Sequence, residues 1–570
     1  MSARHPRGRS APPSVAPPLA RWRFGLVLVG IVAAAAVLIG RITLLQVMDR
    51  PFLQSQGDAR TLRHEAIPAH RGMITDRYGE PLAISTPVVT LWANPQKLPE
   101  DPVRRVVLAQ ALDMTLVDLD ARIDRYSDHE FMYLRRQMTP RAAQEVLDLR
   151  VAGVYSQQEY KRYYPAGEVA AQLIGVTDVD DAGQEGLELA YQPYLSGRPG
   201  QRRIIQDRRG RLVRELGVVR EAQPGGDLTL AIDQRLQYMA YRELRSAVED
   251  NDADGGVLVM LDSRTGEVLA MVNLPSYNPN NRAGLDPGGL RNQALVDVFE
   301  PGSVVKPLAM STVLEKPGYS PETVMDTAPG WMRIDGYTIR DFRNYGELSL
   351  TDVLVKSSNI GMSRLALELR DTAIWERYNQ LGFSHSPGTG FPGEAGGNLP
   401  DTVNFSRSER ASLAYGYGLS VSAVQLASAC TAIANRGRRM PPSLLKLDEA
   451  PPGEPVIEPA VADELMGMLE AVVGPGTGGR RARIEGYRVA GKTGTVRKTG
   501  QSGYDEDAYR SVFVGIAPAS KPRIVTAIMI DHPKAGEFYG GAVAAPVFSD
   551  VAGSALRLLG VPPDADESSP

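Results

Sequence analysis

From Phe24 to Gly40 the chain carries no charged or strongly polar side chain, and Ile42 to Met48 continues the apolar run beyond Arg41. Such a run meets the length requirement of a membrane-spanning helix, with the Arg41 side chain reaching back to the interface. The pattern predicts a span over residues 21–48. Arg21 and Arg23 precede it and no acidic residue occurs before Asp49. The positive-inside rule therefore places the N-terminus in the cytoplasm and the remaining chain outside. The run is long for a secretion signal and no clear small-x-small site follows it, which favours a retained anchor over a cleaved leader. Residues 1–20 mix Arg4, Arg7 and Arg9 with Pro, Ser and Ala and read as a disordered cytoplasmic tail; the acidic stretch 561–570 reads as a second disordered tail.

Beyond the anchor the hydrophobic pattern changes twice. Residues 49–225 are rich in Arg and alternate short strand-like pieces with turns, among them Arg71-Gly72-Met73-Ile74-Thr75-Asp76-Arg77, Arg162 to Gly167, and Gly183 to Gly186. They show no nucleophile–base pair and no metal spacing, so the region reads as a structural or docking module. Gln223-Pro224-Gly225-Gly226 punctuates its end. From there to residue 560 the pattern is that of a second domain. Leu228 to Ile232 reads as a strand, and Asp233 as the cap of a helix from Gln234 to about Val248. Two apolar runs, Gly256–Leu261 and Glu267–Val272, flank a turn, and so do Ser511–Ile516 and Arg523–Ile530. Each pair predicts a hairpin. Hairpins at both ends with helical stretches between them predict an α+β domain: an antiparallel sheet closed by strands from the two ends.

Composition adds bounds. A chain of 570 residues can hold two or three domains, and a net charge of −4 gives no electrostatic case for nucleic acid. The single Cys430 lies in an apolar helical run and reads as a core residue. Neither a metal-ligand spacing nor a Gly-x-Ser-x-Gly elbow occurs, and none of the six histidines falls in a triad motif. No metal or organic cofactor is implied.

The chemistry concentrates at Phe299-Glu300-Pro301-Gly302-Ser303-Val304-Val305-Lys306-Pro307. If this is the first turn of a helix, Ser303 and Lys306 meet on one face, at the positive end of the helix dipole. Lysine acts as a base only if its pKa falls, which burial and a second cation both achieve. The second cation is available in Gly491-Lys492-Thr493-Gly494-Thr495, behind a strand-like lead. Lys492, Thr493 and Thr495 on one strand edge would grip a carboxylate. A third piece, Ser357-Ser358-Asn359, lies between two apolar helical segments, where Ser357 could relay a proton and Asn359 could bond an amide. Each piece has a decoy. Ser443-Leu444-Leu445-Lys446 reads as extended, which sends its two side chains to opposite faces. Lys498-Thr499-Gly500 runs into a loop composition. Ser276-Tyr277-Asn278 sits between prolines and precedes Ser303.

At these residues the chain resembles the class B penicillin-binding proteins, serine acyl-transferases that share a Ser-x-x-Lys, Ser-x-Asn and Lys-Thr-Gly set. Phe299-Glu300-Pro301-Gly302-Ser303, Tyr415-Gly416-Tyr417-Gly418 and Tyr539 to Phe548 resemble, more narrowly, the division-specific septal transpeptidases of the FtsI type. The resemblance covers nearly the whole chain and implies a penicillin-binding/serine β-lactamase-like fold for the catalytic domain, preceded over 49–225 by an elongated mixed α/β pedestal of the dimerisation type. It implies a single-pass protein of the bacterial inner membrane that cross-links peptidoglycan stem peptides through a Ser303 acyl-enzyme and is acylated by β-lactams. Lys306 would be the base, Ser357 the relay, Asn359 the orienting amide, and the backbone N–H groups of Ser303 and Thr495 the oxyanion hole. Lys492, Thr493, Gly494 and Thr495 would hold the substrate carboxylate, and Tyr415, Tyr417, Tyr504 and Phe538 would line the groove. An FtsW-type polymerase and other division proteins are the implied partners. The alternatives are an elongation-type transpeptidase, a D,D-carboxypeptidase or β-lactamase, and a non-catalytic β-lactam sensor or division scaffold.

Overall fold

A computed structural model describes residues 21–48, 62–206, 212–284, 287–403, 405–500 and 503–565. The tail 1–20 and the last five residues of the expected C-terminal tail lie outside it. The described chain divides into two compact units.

The first unit comprises the N-terminal segment to Ile67 together with Pro199–Ala222. Its helix, Arg21–Thr43, continues as a wider turn over Leu44–Met48. The apolar span Trp22–Gln46 is long enough to cross a bilayer, and its side chains are exposed, as a lipid-facing helix requires. The unit also holds an antiparallel sheet in which Gly200–Gln206 pairs with both Leu62–Ile67 and Leu212–Arg220.

The second unit holds Pro68–Arg198 and Gln223–Pro570. The three Arg- and Gly-bearing stretches singled out in the pedestal meet here. Glu188, fully buried, accepts from Arg71 Nε at 2.5 Å and from Arg162 Nε at 2.6 Å, and its carbonyl accepts from Arg71 Nη2 at 2.7 Å. Ile74–Thr75 pairs in parallel with Leu228–Thr229, so the chain on either side of the expected boundary at 225 is joined in one sheet.

The catalytic sheet is five-stranded. Its strands are β1 (Gly255–Asp262), β2 (Val268–Leu274), β3 (Ala490–Gly500), β4 (Gly503–Ala517) and β5 (Ile524–Asp531), in the order β2-β1-β5-β4-β3 and antiparallel throughout. Both predicted hairpins are present, and β1 pairs with β5, joining the two ends of the domain. Val257, Val259 and Leu261 of β1 feed the core that holds Ala423–Ala434, whereas Leu258 and Met260 feed the core beneath Gln234–Asp250 and Gly540–Leu558. Burial on both faces is why these strands read as unbroken apolar runs. Asp233 caps the helix Gln234–Asp250 through Arg235 N, as expected. Cys430 is buried.

Two expectations change. Lys498-Thr499-Gly500 is the end of β3, held by pairing with Tyr504 and Gly503, and Lys498 is taken by Asp531 at 2.8 Å. Residues 561–565 begin the expected tail but are docked: Asp564 accepts from Arg488 N at 2.7 Å and from Ser520 Oγ at 2.6 Å.

Candidate active site

Gly302–Val305 forms a turn of 3₁₀ helix that runs directly into the α-helix α1 (Lys306–Leu314). In a 3₁₀ turn residues three apart eclipse each other, so the turn aligns Ser303 with Lys306. Pro307 falls where a missing N–H costs nothing. The turn is braced from two sides. Gly302 N donates to Gly416 O at 3.0 Å. On the other side lies β3, an edge strand, whose Gly494 comes so close that a Cβ there would sit 2.9 Å from Val304 Cγ1 and 3.3 Å from Pro301 O.

Ser357-Ser358-Asn359 joins the helices Leu350–Val355 and α2 (Asn359–Glu368), as the apolar pattern predicts. Ser358 is the N-cap of α2, its hydroxyl accepting from Gly361 N at 2.9 Å. Ser357 sits at φ 54°, in the left-handed region. This conformation delivers both its carbonyl and its hydroxyl to Lys306: Nζ lies 2.6 Å from Ser357 O, 3.2 Å from Ser357 Oγ and 2.8 Å from Asn359 Oδ1. Lys492 Nζ donates to the same hydroxyl at 3.1 Å and to Thr493 O at 3.0 Å. The structure thus brings Lys306, Ser357, Asn359 and Lys492 into one hydrogen-bonded cluster, at the base of the turn that carries Ser303.

Both ammonium groups are buried, Lys306 completely and Lys492 to 2 % exposure. Since each bonds Ser357 Oγ, the two nitrogens stand no more than about 6 Å apart, close enough that two charges would repel. Burial, and then the Lys492 charge, drive the Lys306 pKa well below the lysine range, while Asp341 opposes the shift. Burial lowers Lys492 to about 7. Lys306 is the group these forces leave neutral. A neutral amine has two N–H groups and one lone pair. Ser357 O and Asn359 Oδ1 can only accept, so they take N–H groups of Lys306. The Ser357 hydroxyl stands within hydrogen-bond distance of both lysines and links them.

That arrangement of Ser-x-x-Lys, Ser-x-Asn and Lys-Thr-Gly agrees with comparison to known proteins. The family model of the penicillin-binding protein transpeptidase domain matches residues 256–553, and that of the penicillin-binding protein dimerisation domain matches residues 66–230. The chain is 42% identical to the peptidoglycan D,D-transpeptidase FtsI of Escherichia coli over 95% of its own length and 93% of the relative's. It is 44% identical to the "Probable peptidoglycan D,D-transpeptidase PbpC" of Pseudomonas aeruginosa over 96% of this chain and 97% of that one. The chain belongs to the penicillin-binding protein transpeptidases. Among solved structures, the transpeptidase domain of Burkholderia pseudomallei penicillin-binding protein 3 is similar at 42% identity and a TM-score of 0.55, covering 59% of this chain and 98% of that one. Penicillin-binding protein 3 of Mycobacterium tuberculosis, solved with aztreonam, is similar at 28% identity and a TM-score of 0.69, covering 88% of this chain and 98% of that one.

The remaining expected site residues divide. Strand alternation sends Lys492 toward the Ser303 turn and the Thr493 and Thr495 side chains to the opposite face of β3. There Thr495 Oγ1 accepts from Gly540 N at 3.1 Å, and a Cβ on Gly541 would lie 3.4 Å from Thr493 Cγ2. The charge and the two hydroxyls are therefore wrapped around the strand edge, not ranged along it as expected. Tyr417 and Tyr504 line a cleft of about 520 Å³ with Tyr337, Ser412 and Gly418. Tyr415 packs behind, its ring 5.7 Å from that of Tyr417 and its hydroxyl 3.2 Å from Ser412 Oγ. Phe538 is stacked at 4.3 Å on Tyr509 and at 4.5 Å on Tyr539. The decoys stay outside the cluster: Ser443 bonds Leu445 O, Lys446 bonds Arg77 O, and Ser276 bonds Glu168 O.

Two carboxylates at this penicillin-binding-protein site are absent from the expected site residues. Asp341 accepts from Asn359 N at 2.6 Å and Ile360 N at 3.1 Å and from the Ser358 hydroxyl. Glu300, three residues before Ser303, accepts from Gly418 N at 2.9 Å and from the Tyr504 hydroxyl at 3.1 Å. Its spacing to Ser303 is the one trace it leaves in the sequence.

Proposed function

We propose that this penicillin-binding protein is a septal peptidoglycan D,D-transpeptidase, held in the cytoplasmic membrane by Trp22–Gln46 with its N-terminus inside and its catalytic domain outside. One observation carries the chemical part: a buried lysine, Lys306, shares a serine hydroxyl with a second buried lysine, Lys492. Ser303 Oγ attacks the penultimate D-Ala carbonyl of a stem peptide, and neutral Lys306 takes its proton. Ser357, poised between the lysines, returns a proton to the departing D-Ala amine. The close approach of Gly494 to the Ser303 turn supports an oxyanion hole of the Ser303 and Thr495 N–H groups. Lys492 receives the terminal carboxylate at the β3 edge, around which the Thr493 and Thr495 hydroxyls are wrapped, and Asn359 orients the peptide. The amine of a neighbouring stem then attacks the acyl-enzyme, frees Ser303 and forms the cross-link. β-Lactams acylate the same serine. The septal assignment rests on the likeness to FtsI, and an FtsW-type polymerase is the partner it suggests.

The test is labelling with fluorescent penicillin. Wild-type protein should label stoichiometrically and turn over slowly, and Ser303→Ala should not label at all. Equal labelling of the two would overturn the assignment of Ser303, and rapid multiple turnover would point to a hydrolase.

A further inference from the structure

We propose that Asp341 is a positioning residue for acylation: its carboxylate fixes the Ser357–Asn359 turn and acts electrostatically on Lys306. The inference rests on the assignment of Lys306 as base.

Asp341 follows the two-stranded hairpin Trp331–Ile334 and Tyr337–Arg340, and its own N–H is tied back to Gly330 O at 3.1 Å. It lies on no part of the three motifs. Yet one carboxylate oxygen receives the first two N–H groups of α2, from Asn359 and Ile360, and the other receives the Ser358 hydroxyl. The preceding carbonyl, Arg340 O, accepts from Asn359 Nδ2 at 3.2 Å. The hairpin therefore grips the Ser-x-Asn turn by four hydrogen bonds. A grip is needed. Ser357 holds a left-handed backbone that strains a non-glycine residue, and such a conformation persists only where its surroundings over-determine it. Without Asp341, Ser357 and Asn359 would relax, and their oxygens would leave the amine.

The charge acts as well as the shape. The charged groups facing Lys306 are Lys492 on β3 and Asp341; its other near neighbours, Ser357 and Asn359, are neutral. Lys492 favours the free amine, and Asp341 favours the ammonium. Asp341 therefore sets a limit on how acidic Lys306 becomes, which keeps the amine basic enough to take a serine proton.

The experiment uses the full chain in detergent and reads the second-order rate of acylation by fluorescent penicillin across pH, with thermal midpoints as a folding control. Asp341→Asn keeps an acceptor for the two backbone N–H groups and removes the charge. Its acid limb should move to lower pH by on the order of one unit, with a plateau within about threefold of wild type. Asp341→Ala removes the grip and should lower the plateau by on the order of a hundredfold. An Asp341→Asn limb superimposed on the wild-type limb would overturn the electrostatic role, and a wild-type plateau for Asp341→Ala would overturn the positioning role. If Asp341→Ala does not fold, the limb of Asp341→Asn still decides. Loss of labelling in Ser303→Ala beside an unmoved Asp341→Asn limb refutes this inference alone; persistent labelling of Ser303→Ala refutes the reading beneath it.

Discussion

Gly416 and Gly418 stand two residues apart, both with positive φ, 89° and 78°. Alanine at either position meets the same left-handed strain of about 1–2 kcal/mol. Their surroundings differ. A Cβ at Gly418 meets nothing within 4 Å, whereas a Cβ at Gly416 would lie 2.0 Å from Gly302 O and 2.6 Å from Gly302 Cα. That contact is with backbone and cannot be relieved by a rotamer. The two segments must part by more than an ångström, which breaks the bond from Gly302 N to Gly416 O beside the nucleophile. A buried backbone bond lost this way costs about 1–3 kcal/mol. Gly416→Ala should thus destabilise by about 2–5 kcal/mol and Gly418→Ala by about 1–2 kcal/mol. For a unit of this size that separates the thermal midpoints by a few degrees, at about 1–2 °C per kcal/mol. The functional difference should be larger, because the displaced turn carries Ser303: penicillin acylation should fall on the order of a hundredfold in Gly416→Ala and stay near wild type in Gly418→Ala. Equal midpoints and equal acylation rates for the two variants would refute the claim that the Gly302–Gly416 contact sets the position of the nucleophile.

Two further outcomes are expected. Lys492, at about 7 in the folded chain and near the ordinary lysine value when unfolded, binds fewer protons folded than unfolded between those two values. Lys492's share of the stability should therefore rise with pH above about 7, by at most about 1.4 kcal/mol per pH unit, and fall as pH drops through that window. Lys492→Met should lose this share and keep the one that buried Lys306 contributes, so its dependence should be shallower, and thermal midpoints of the two proteins that run parallel from neutral to mildly alkaline pH would contradict it. In the pedestal, Glu188→Gln leaves the buried Arg71 and Arg162 guanidinium groups without their carboxylate. Breaking such a pair costs about 3–5 kcal/mol. Limited proteolysis should become fast within residues 68–198, and an unchanged cleavage rate would count against the cluster as a clamp.

What could be read from the chain alone was local. The 234–250 helix announces itself through its cap and its apolar spacing, the two hairpins through runs around a turn, and Ser303 with Lys306 through a three-residue spacing that a helical turn converts into adjacency. The misreadings were all non-local. Lys498-Thr499-Gly500 has the composition of a loop but is held in β3 by its partner strand. Thr493 and Thr495 lie close to Lys492 in sequence, but the pleat turns them to the other face. The pairings around residue 225 are long-range too: Gly200–Gln206 pairs with both Leu62–Ile67 and Leu212–Arg220, and Leu228–Thr229 pairs with Ile74–Thr75. The chain passes between the two units more than once.

The same distinction explains why the motifs alone are insufficient. Ser-x-x-Lys places a hydroxyl and an amine on one turn, but it does nothing to make the amine neutral. Neutrality comes from burial and from Lys492, more than 180 residues later in the chain. The relay geometry comes from a strained backbone at Ser357, held by a carboxylate delivered from an unrelated hairpin. The turn's own position comes from contacts with Gly416 and Gly494, two residues whose contribution is the side chain they lack. Each of these supports costs stability taken singly: two lysines stripped of water, one left-handed serine, one crowded backbone crossing. They persist together because each constrains a different degree of freedom of the same few atoms, so that relaxing one does not relieve the others. A site built in this way should tolerate substitution at the groove surface far better than at the supports.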